Sequence, residues 1–267
     1  MKVMKGKRYM FLCISLMIVS LVACGTKENE LADTKQFDAE HINEIYVKTV
    51  GENIKLYSTV EKNIKIDTGD TEGVKVKADG DKLEIIIENA PSIVNLKTAT
   101  VQIYLPKKIY KKIDVETESG EVIGENMSSK KLDLYSDSSD MTIKNYKGDQ
   151  MEGVSESGGI TLQEVEGSFD IQTNTGEINV TTAFSVKNES KIKTESSHIH
   201  IKLEKEPENL EVDLSTQAGK IENDFSLSSV EKGNSHKVKG RIGTGQENDA
   251  KLTVESMTGT ITLKRDK

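Results

Sequence analysis

Residues 172–180 read QTNTGEINV, a small polar turn followed by a short aliphatic alternation. The pattern returns as ETESGEVIG at 116–124, YSDSSDMTI at 135–143, KTESSHIHI at 193–201 and ESMTGTITL at 255–263. One small residue marks each copy: Gly120, Ser139, Gly158, Gly176, Ser197, Gly219 and Gly259. These corner residues are separated by 19, 19, 18, 21, 22 and 40 positions. The last interval is about twice the others, so a degenerate copy is expected near 226–250. Seven and five residues before the corner stand mostly aliphatic pairs, such as Ile113/Val115, Leu132/Leu134 and Phe169/Ile171. Two residues after it come Val122, Met141, Ile160, Ile178, Ile199, Ile221 and Ile261. A period of two on both sides of a turn describes strand, corner and strand.

Hydroxyls occupy the positions three and one before the corner, as Thr117/Ser119, Ser136/Ser138, Ser155/Ser157 and Thr173/Thr175. Uninterrupted alternation places both on the inward side with the aliphatics. Glycine at the corner is expected to supply a positive φ, which makes Ser139 and Ser197 the costlier substitutes. About 20 residues of extended chain is one lap of a small β-solenoid, which must stack to bury its face. The alternative for 113–267 is a sandwich with evenly spaced turns.

Upstream, Ile54/Leu56, Ile64/Ile66, Val74/Val76 and Leu83/Ile85/Ile87 also alternate with charged residues. Asp79-Gly80 reads as a hairpin turn, and Pro106 as a strand end. The copies do not align over 42–112, so solenoid and sandwich stay equally open there. The organisation expected is 1–23 signal, 24–41 polar spacer, 42–112 N-terminal strand region with short hairpins, and 113–267 repeat. The fold class is all-β, a single-stranded β-helix-like solenoid behind a signal helix.

The start is a targeting segment. Lys2, Lys5, Lys7 and Arg8 precede YMFLCISLMIVSLV at 9–22, an apolar run too short to span a bilayer. Leu21, Val22, Ala23 and Cys24 resemble the bacterial lipobox. That resemblance implies a diacylglyceryl group on Cys24, cleavage after Ala23 and acylation, for instance by palmitate, of the new terminus. The chain is then tethered to membrane lipid through Cys24 on the extracytoplasmic face. The plain secretory alternative leaves Cys24 an orphan thiol. Cys13 departs with the signal, so no disulfide or thiolate site remains. Four positive charges depart too, taking the net charge from −8 to −12. That balance disfavours nucleic acid. Tryptophan is absent and aromatics make up 4%, so stacking platforms for bases or sugars are scarce.

The repeat resembles a bacterial family of cell-surface proteins catalogued as "putative adhesins" of unknown function. Their recurrent t-x-S-G-d-i turns follow a v-x-l-P strand; here VQIYLP at 101–106 precedes VETESGEVI at 115–123. The resemblance covers roughly 42–267. It implies a β-helix at the cell surface and brings no catalytic residues and no cofactor.

Residue chemistry points the same way. His198 and His200 share a strand face, as two metal ligands do, but Ile199 and Ile201 hold the inward register and no third ligand is identifiable. Asp114, Asp133, Glu152 and Asp170 stand six before their corners, and Glu118, Asp137, Glu156 and Glu195 two before. Stacked laps turn these into acidic columns, in which like charges about 4.8 Å apart repel by roughly 0.9 kcal/mol per pair in water. Calcium is one relief for such a column; a solvated edge that discourages strand pairing is the other. GVSES at 153–157 lacks the last glycine of a nucleophile elbow, and GTGQEN at 243–248 lacks the setting of a dinucleotide loop. The expected role is a non-enzymatic surface lipoprotein that meets an envelope protein or matrix ligand. An accessory subunit of an envelope-sensing or stress system, or a β-helix carbohydrate-active enzyme, are the alternatives.

Overall fold

A computed structural model describes residues 34–69, 71–88, 99–184, 188–232, 236–244 and 250–266. The signal, Ala23 and Cys24 lie outside the described residues. Every regular element described is a strand. The N-terminal part holds β1 (Thr34–Asp38), β2 (Glu44–Thr49), β3 (Asn53–Thr59), β4 (Asn63–Asp67), β5 (Val74–Asp79), β6 (Lys82–Ile87) and β7 (Thr100–Pro106). The middle holds β8 (Tyr110–Thr117), β9 (Val122–Glu125), β10 (Ser128–Ser136), β11 (Met141–Ser155), β12 (Ile160–Thr173) and β13 (Ile178–Thr182). Then come β14 (Glu189–Thr194), β15 (Ile199–Leu203), β16 (Asn209–Thr216), β17 (Ile221–Asn223), β18 (Ser228–Lys232), β19 (Lys237–Gly243), β20 (Ala250–Ser256) and β21 (Ile261–Arg265).

The strands form two parallel columns joined at the corners. Before the corner, the neighbours run β6, β2, β8, β10, β11, β12, β14, β20, β16. After it, they run β7, β3, β9, β11, β12, β13, β15, β21, β17. β11 and β12 belong to both columns, because each runs from the end of one lap into the start of the next. Like residues sit beside like: Ile113 by Leu132, Leu132 by Met151, Met151 by Phe169. The inward aliphatics of both columns form one apolar cluster, and most of them are wholly buried. At about 25 cal/mol per Å² of apolar surface, this stacked interior is the main source of stability. The fold is a solenoid-like curled sheet, and the sandwich alternative does not describe it.

Residues 42–112 join the same stack. β2 pairs with β8 from Glu44↔Lys112 to Thr49↔Thr117, and β3 pairs with β9. Hairpin β5–β6 turns at Gly80 with φ 62, and β7 ends on Pro106 as expected. Strand pairing starts at Thr34, inside the stretch read as a spacer. β1 lies antiparallel on β4, and Phe37, Ala39 and Ile42 pack against the core.

One expectation about the repeat is corrected. The described residues of 226–250 hold no degenerate lap. Instead β18 and β19 run antiparallel, and β19 covers the outer edge of β16. Lap order in space also departs from chain order. The lap β20–β21 lies between β14–β15 and β16–β17, and the lap β2–β3 lies between β6–β7 and β8–β9.

A second bend, opposite the first, escaped the sequence reading. Asn126, Asn145 and Glu164 have φ of 58, 51 and 53 and recur at intervals of 19. Asparagine tolerates this left-handed region better than most residues. Asn145 Nδ2 donates to Asn126 Oδ1 at 3.1 Å, which links two laps.

Candidate functional site

Five of the seven corners are each held by one hydroxyl. The N–H of Gly120, Ser139, Gly158, Gly176 and Gly259 donates to Thr117, Ser136, Ser155, Thr173 and Ser256 at 2.7–3.0 Å. Those hydroxyls are buried, as the register requires. The hydroxyls one before the corner are not. Ser119, Ser138, Ser157, Thr175, Ser196 and Thr258 are exposed. Alternation fails between these positions because the chain turns there. Their oxygens donate to the neighbouring lap instead: Ser119 to Val50 O, Ser138 to Glu118 O and Ser157 to Asp137 O, at 3.1–3.2 Å.

The corner glycines have another use than the one expected. Gly120, Gly158, Gly176, Gly219 and Gly259 do not have positive φ. A Cβ on each would overlap the backbone oxygen of the adjacent lap: Glu52, Ser139, Gly158, Gly259 and Ser197 respectively. Glycine is needed for close approach rather than for handedness.

Just past the corners the outer face carries a shallow polar cleft of about 410 Å³. Gly159 contributes no side chain there, while Asp140 and Glu177 stand on either side. Glu121, Thr142, Thr161 and Asn179 complete the walls. Asp140 Oδ1 accepts the Gly159 N–H at 2.7 Å, and Asn179 Nδ2 donates to Glu177 Oε1 at 2.9 Å. The carboxylates are therefore oriented by the scaffold, and they favour cationic or hydroxyl-rich ligand groups.

His198 and His200 sit at the next lap along this face. His198 is exposed, but its Nδ1 accepts the Thr260 N–H at 3.0 Å. His200 is half-buried, with Nδ1 2.8 Å from Thr262 Oγ1 and Nε2 3.8 Å from Glu177 Oε1. Both histidines clasp neighbouring laps from outward positions, with Ile199 and Ile201 buried between them as the register predicts.

The acidic column forms in register, Asp114 by Asp133, Asp133 by Glu152, Glu152 by Asp170. Its counter-ions are lysines. Lys112 Nζ lies 2.6 Å from Asp114 and 2.8 Å from Asp133. Lys131 lies 2.9 Å from Asp133 and 3.5 Å from Glu152. Burial alone would lower the Lys112 pKa, but hydrogen bonds to the two aspartates outweigh it and raise it above the usual lysine value. The Asp133 hydrogen bond raises Lys131 as well. These lysines, set beside the carboxylate column, relieve its charge repulsion from within the chain. Among the described residues, no group of three or more His, Cys, Asp or Glu converges on a metal position.

The stack and its polar ladders define a class: a repeat scaffold that presents side chains at one-lap intervals. The chain belongs to the Toastrack DUF4097 family, whose model matches residues 42–152 and 124–264. No curated protein matches it. Among solved structures it is similar to a "putative cell adhesion protein" of Clostridium sporogenes ATCC 15579. The identity is 12%, over 88% of this chain and 98% of that one, with a TM-score of 0.40. It is also similar to a "putative adhesin" of Bacteroides fragilis NCTC 9343, at 16% identity over 87% and 96%, with a TM-score of 0.44. A third is a "putative lipid binding protein" of Parabacteroides distasonis ATCC 8503, at 12% identity over 90% and 98%, with a TM-score of 0.39.

Proposed function

We propose that the protein is a lipid-anchored, extracytoplasmic surface protein whose solenoid binds or spaces partners without catalysing a reaction. One observation carries the reading. The outward side chains that bear chemistry recur from lap to lap and are tied to backbone, as Asp140 is, to a neighbouring amide, as Glu177 is, or to neighbouring charges, as Lys112 is. Such an array recognises an extended or repeating surface by complementarity. The anchor is the acylated Cys24 of the lipobox-like LVAC. A two-chain lipid attachment holds stably where one chain is marginal. The recognition face is the Asp140–Glu177 cleft with its hydroxyl and amide neighbours, and an envelope protein or a matrix polymer bearing cationic groups fits it.

The test has two parts. Labelled palmitate should enter the wild-type chain and not Cys24→Ser, and the variant should leave the membrane fraction. Detergent-solubilised membranes should then yield envelope or matrix material on the wild type and much less on Asp140→Asn/Glu177→Gln. Equal capture by both would remove the cleft from the reading. One dominant integral-membrane partner would favour the accessory-subunit alternative over an adhesive role.

A further inference from the structure

Apolar side chains scattered singly over a surface are ordinary, but two together on a lysine-rich edge carry information. Among the described residues, Val60 and Ile109 are the two most exposed large hydrophobics, at 85% and 69%. They stand in adjacent turns. Val60 follows β3 and Ile109 precedes β8. The ladder that pairs Thr59 with Pro106 continues into these turns, where the Lys107 N–H donates to Thr59 O at 3.0 Å. The turn at 107–109 also borders a hollow of about 200 Å³, whose lining includes Leu105, Pro106, Ile113 and Met127.

The charge here is positive. The two turns carry Lys62, Lys107 and Lys108 against Glu61 alone. Lys62 and Lys107 are exposed, and neither is in an ion pair among the described residues. Lys108 is held by the Ala39 and Ile42 carbonyls, which have no charge to cancel its own. The chain as a whole is acidic, yet charges beyond about 10 Å are largely screened at 0.1 M salt. Exposed aliphatics beside lysines match a bilayer surface, with acyl carbon below and anionic headgroups above. The position also fits. β1 begins at Thr34, ten residues after Cys24, and its other end, Asp38, lies beside Asn63 next to the Val60 turn. Ten residues of chain reach at most about 35 Å.

We infer that Val60, Ile109, Lys62 and Lys107 form a membrane-contact patch that lays this edge of the stack against an anionic bilayer. The inference rests on the membrane-tethered reading for its setting, but the contact itself needs no acyl chain.

The compact unit Ala32–Lys267 holds every described strand and the whole apolar cluster, and it lacks Cys24, so it tests the patch apart from the anchor. On vesicles of equal phosphatidylglycerol and phosphatidylcholine, it should co-sediment about fivefold more than Val60→Ser/Ile109→Ser. The sequence has no tryptophan, so Ile109→Trp supplies a single reporter. Its emission should move to the blue on these vesicles, while that of Met257→Trp, exposed at the Gly259 corner, should not. Adding Lys62→Gln/Lys107→Gln to the reporter chain should raise the lipid concentration at half-shift about 25-fold, about fivefold per lysine. Equal co-sedimentation, no shift at position 109, an equal shift at 257, or indifference to the two lysines overturns the inference. The same shift with inorganic phosphate alone, or with rising protein concentration and no lipid, also overturns it, by assigning the patch to a free anion or to a second copy. Palmitate labelling of Cys24 is independent of all these results, so the anchor and the patch fail separately.

Discussion

The two ends of the stack differ from its middle in one respect. From β8 to β13 the laps stack in the order in which they are made. At each end a lap is intercalated: β2–β3 inside β6–β7, and β20–β21 inside β16–β17. Antiparallel strands lie beyond both, with β5, β4 and β1 at one end and β19 and β18 at the other. The repeat therefore specifies the shape of a lap and not its neighbour. Any lap with aliphatics at the right spacing can lie against any other, and the caps decide where the stack stops.

Four measurements break or sharpen this comparison. The largest effect is expected from a buried aliphatic in the middle, Ile171→Ala, at about 3 kcal/mol in urea unfolding. The same truncation in the intercalated lap, Leu252→Ala, should cost as much if that lap unfolds with the rest. A much smaller loss would mean that the end melts separately. Gly176→Ala comes next, at about 2 kcal/mol from overlap with the Gly158 backbone. An unchanged melting temperature there would contradict the close approach of laps.

The corner hydroxyls follow. Thr173→Val should cost about 1 kcal/mol, because it strips the partner from the Gly176 N–H. Thr175→Val, two residues on but exposed, should stay within about 0.5 kcal/mol. Equal costs would restore the simple alternation that the structure replaces.

The smallest effect is electrostatic. Lys112 has a folded pKa above its unfolded one, so its contribution is fully present below the unfolded value and fades as pH rises through the folded one. The stability gap between wild type and Lys112→Met should therefore be largest near neutrality and shrink as pH rises past the ordinary lysine range. A gap that is constant with pH would mean that the column is held by packing alone.

Much of this was legible in the residues. Period two exposed the inward aliphatics, and the hydroxyl three before each corner was placed correctly. The hydroxyl one before it was not, because alternation counts residues and a corner rotates them. The N-terminal laps hid behind Glu52. Ile45, Val47, Thr49, Ile54 and Leu56 keep the repeat spacing around it, yet a glutamate at a corner breaks the visible motif. That residue is 5% exposed, and its Oε2 accepts from the Thr49 hydroxyl and the Gly51 N–H inside the turn. Lap order was not readable, since stacking partners are chosen by surfaces that all resemble one another. The cleft beside Gly159 was equally hidden: it needs three laps in contact before a missing side chain becomes a hollow. The interval of 19 between Asn126 and Asn145 was a signal in plain sight.

The way the chain enters the stack has a mechanical consequence. Among the described residues β1 pairs on one side only, antiparallel to β4, so tension applied at Thr34 opens its bonds one after another, as a zip opens. β2 is bonded on both sides and must be sheared with its whole ladder loaded at once. Between them Lys108 grips the Ala39 and Ile42 carbonyls over the Tyr110 ring. Pulled from its N-terminus, the protein should yield a short extensible leader at low force, then a clasp, then a rigid body.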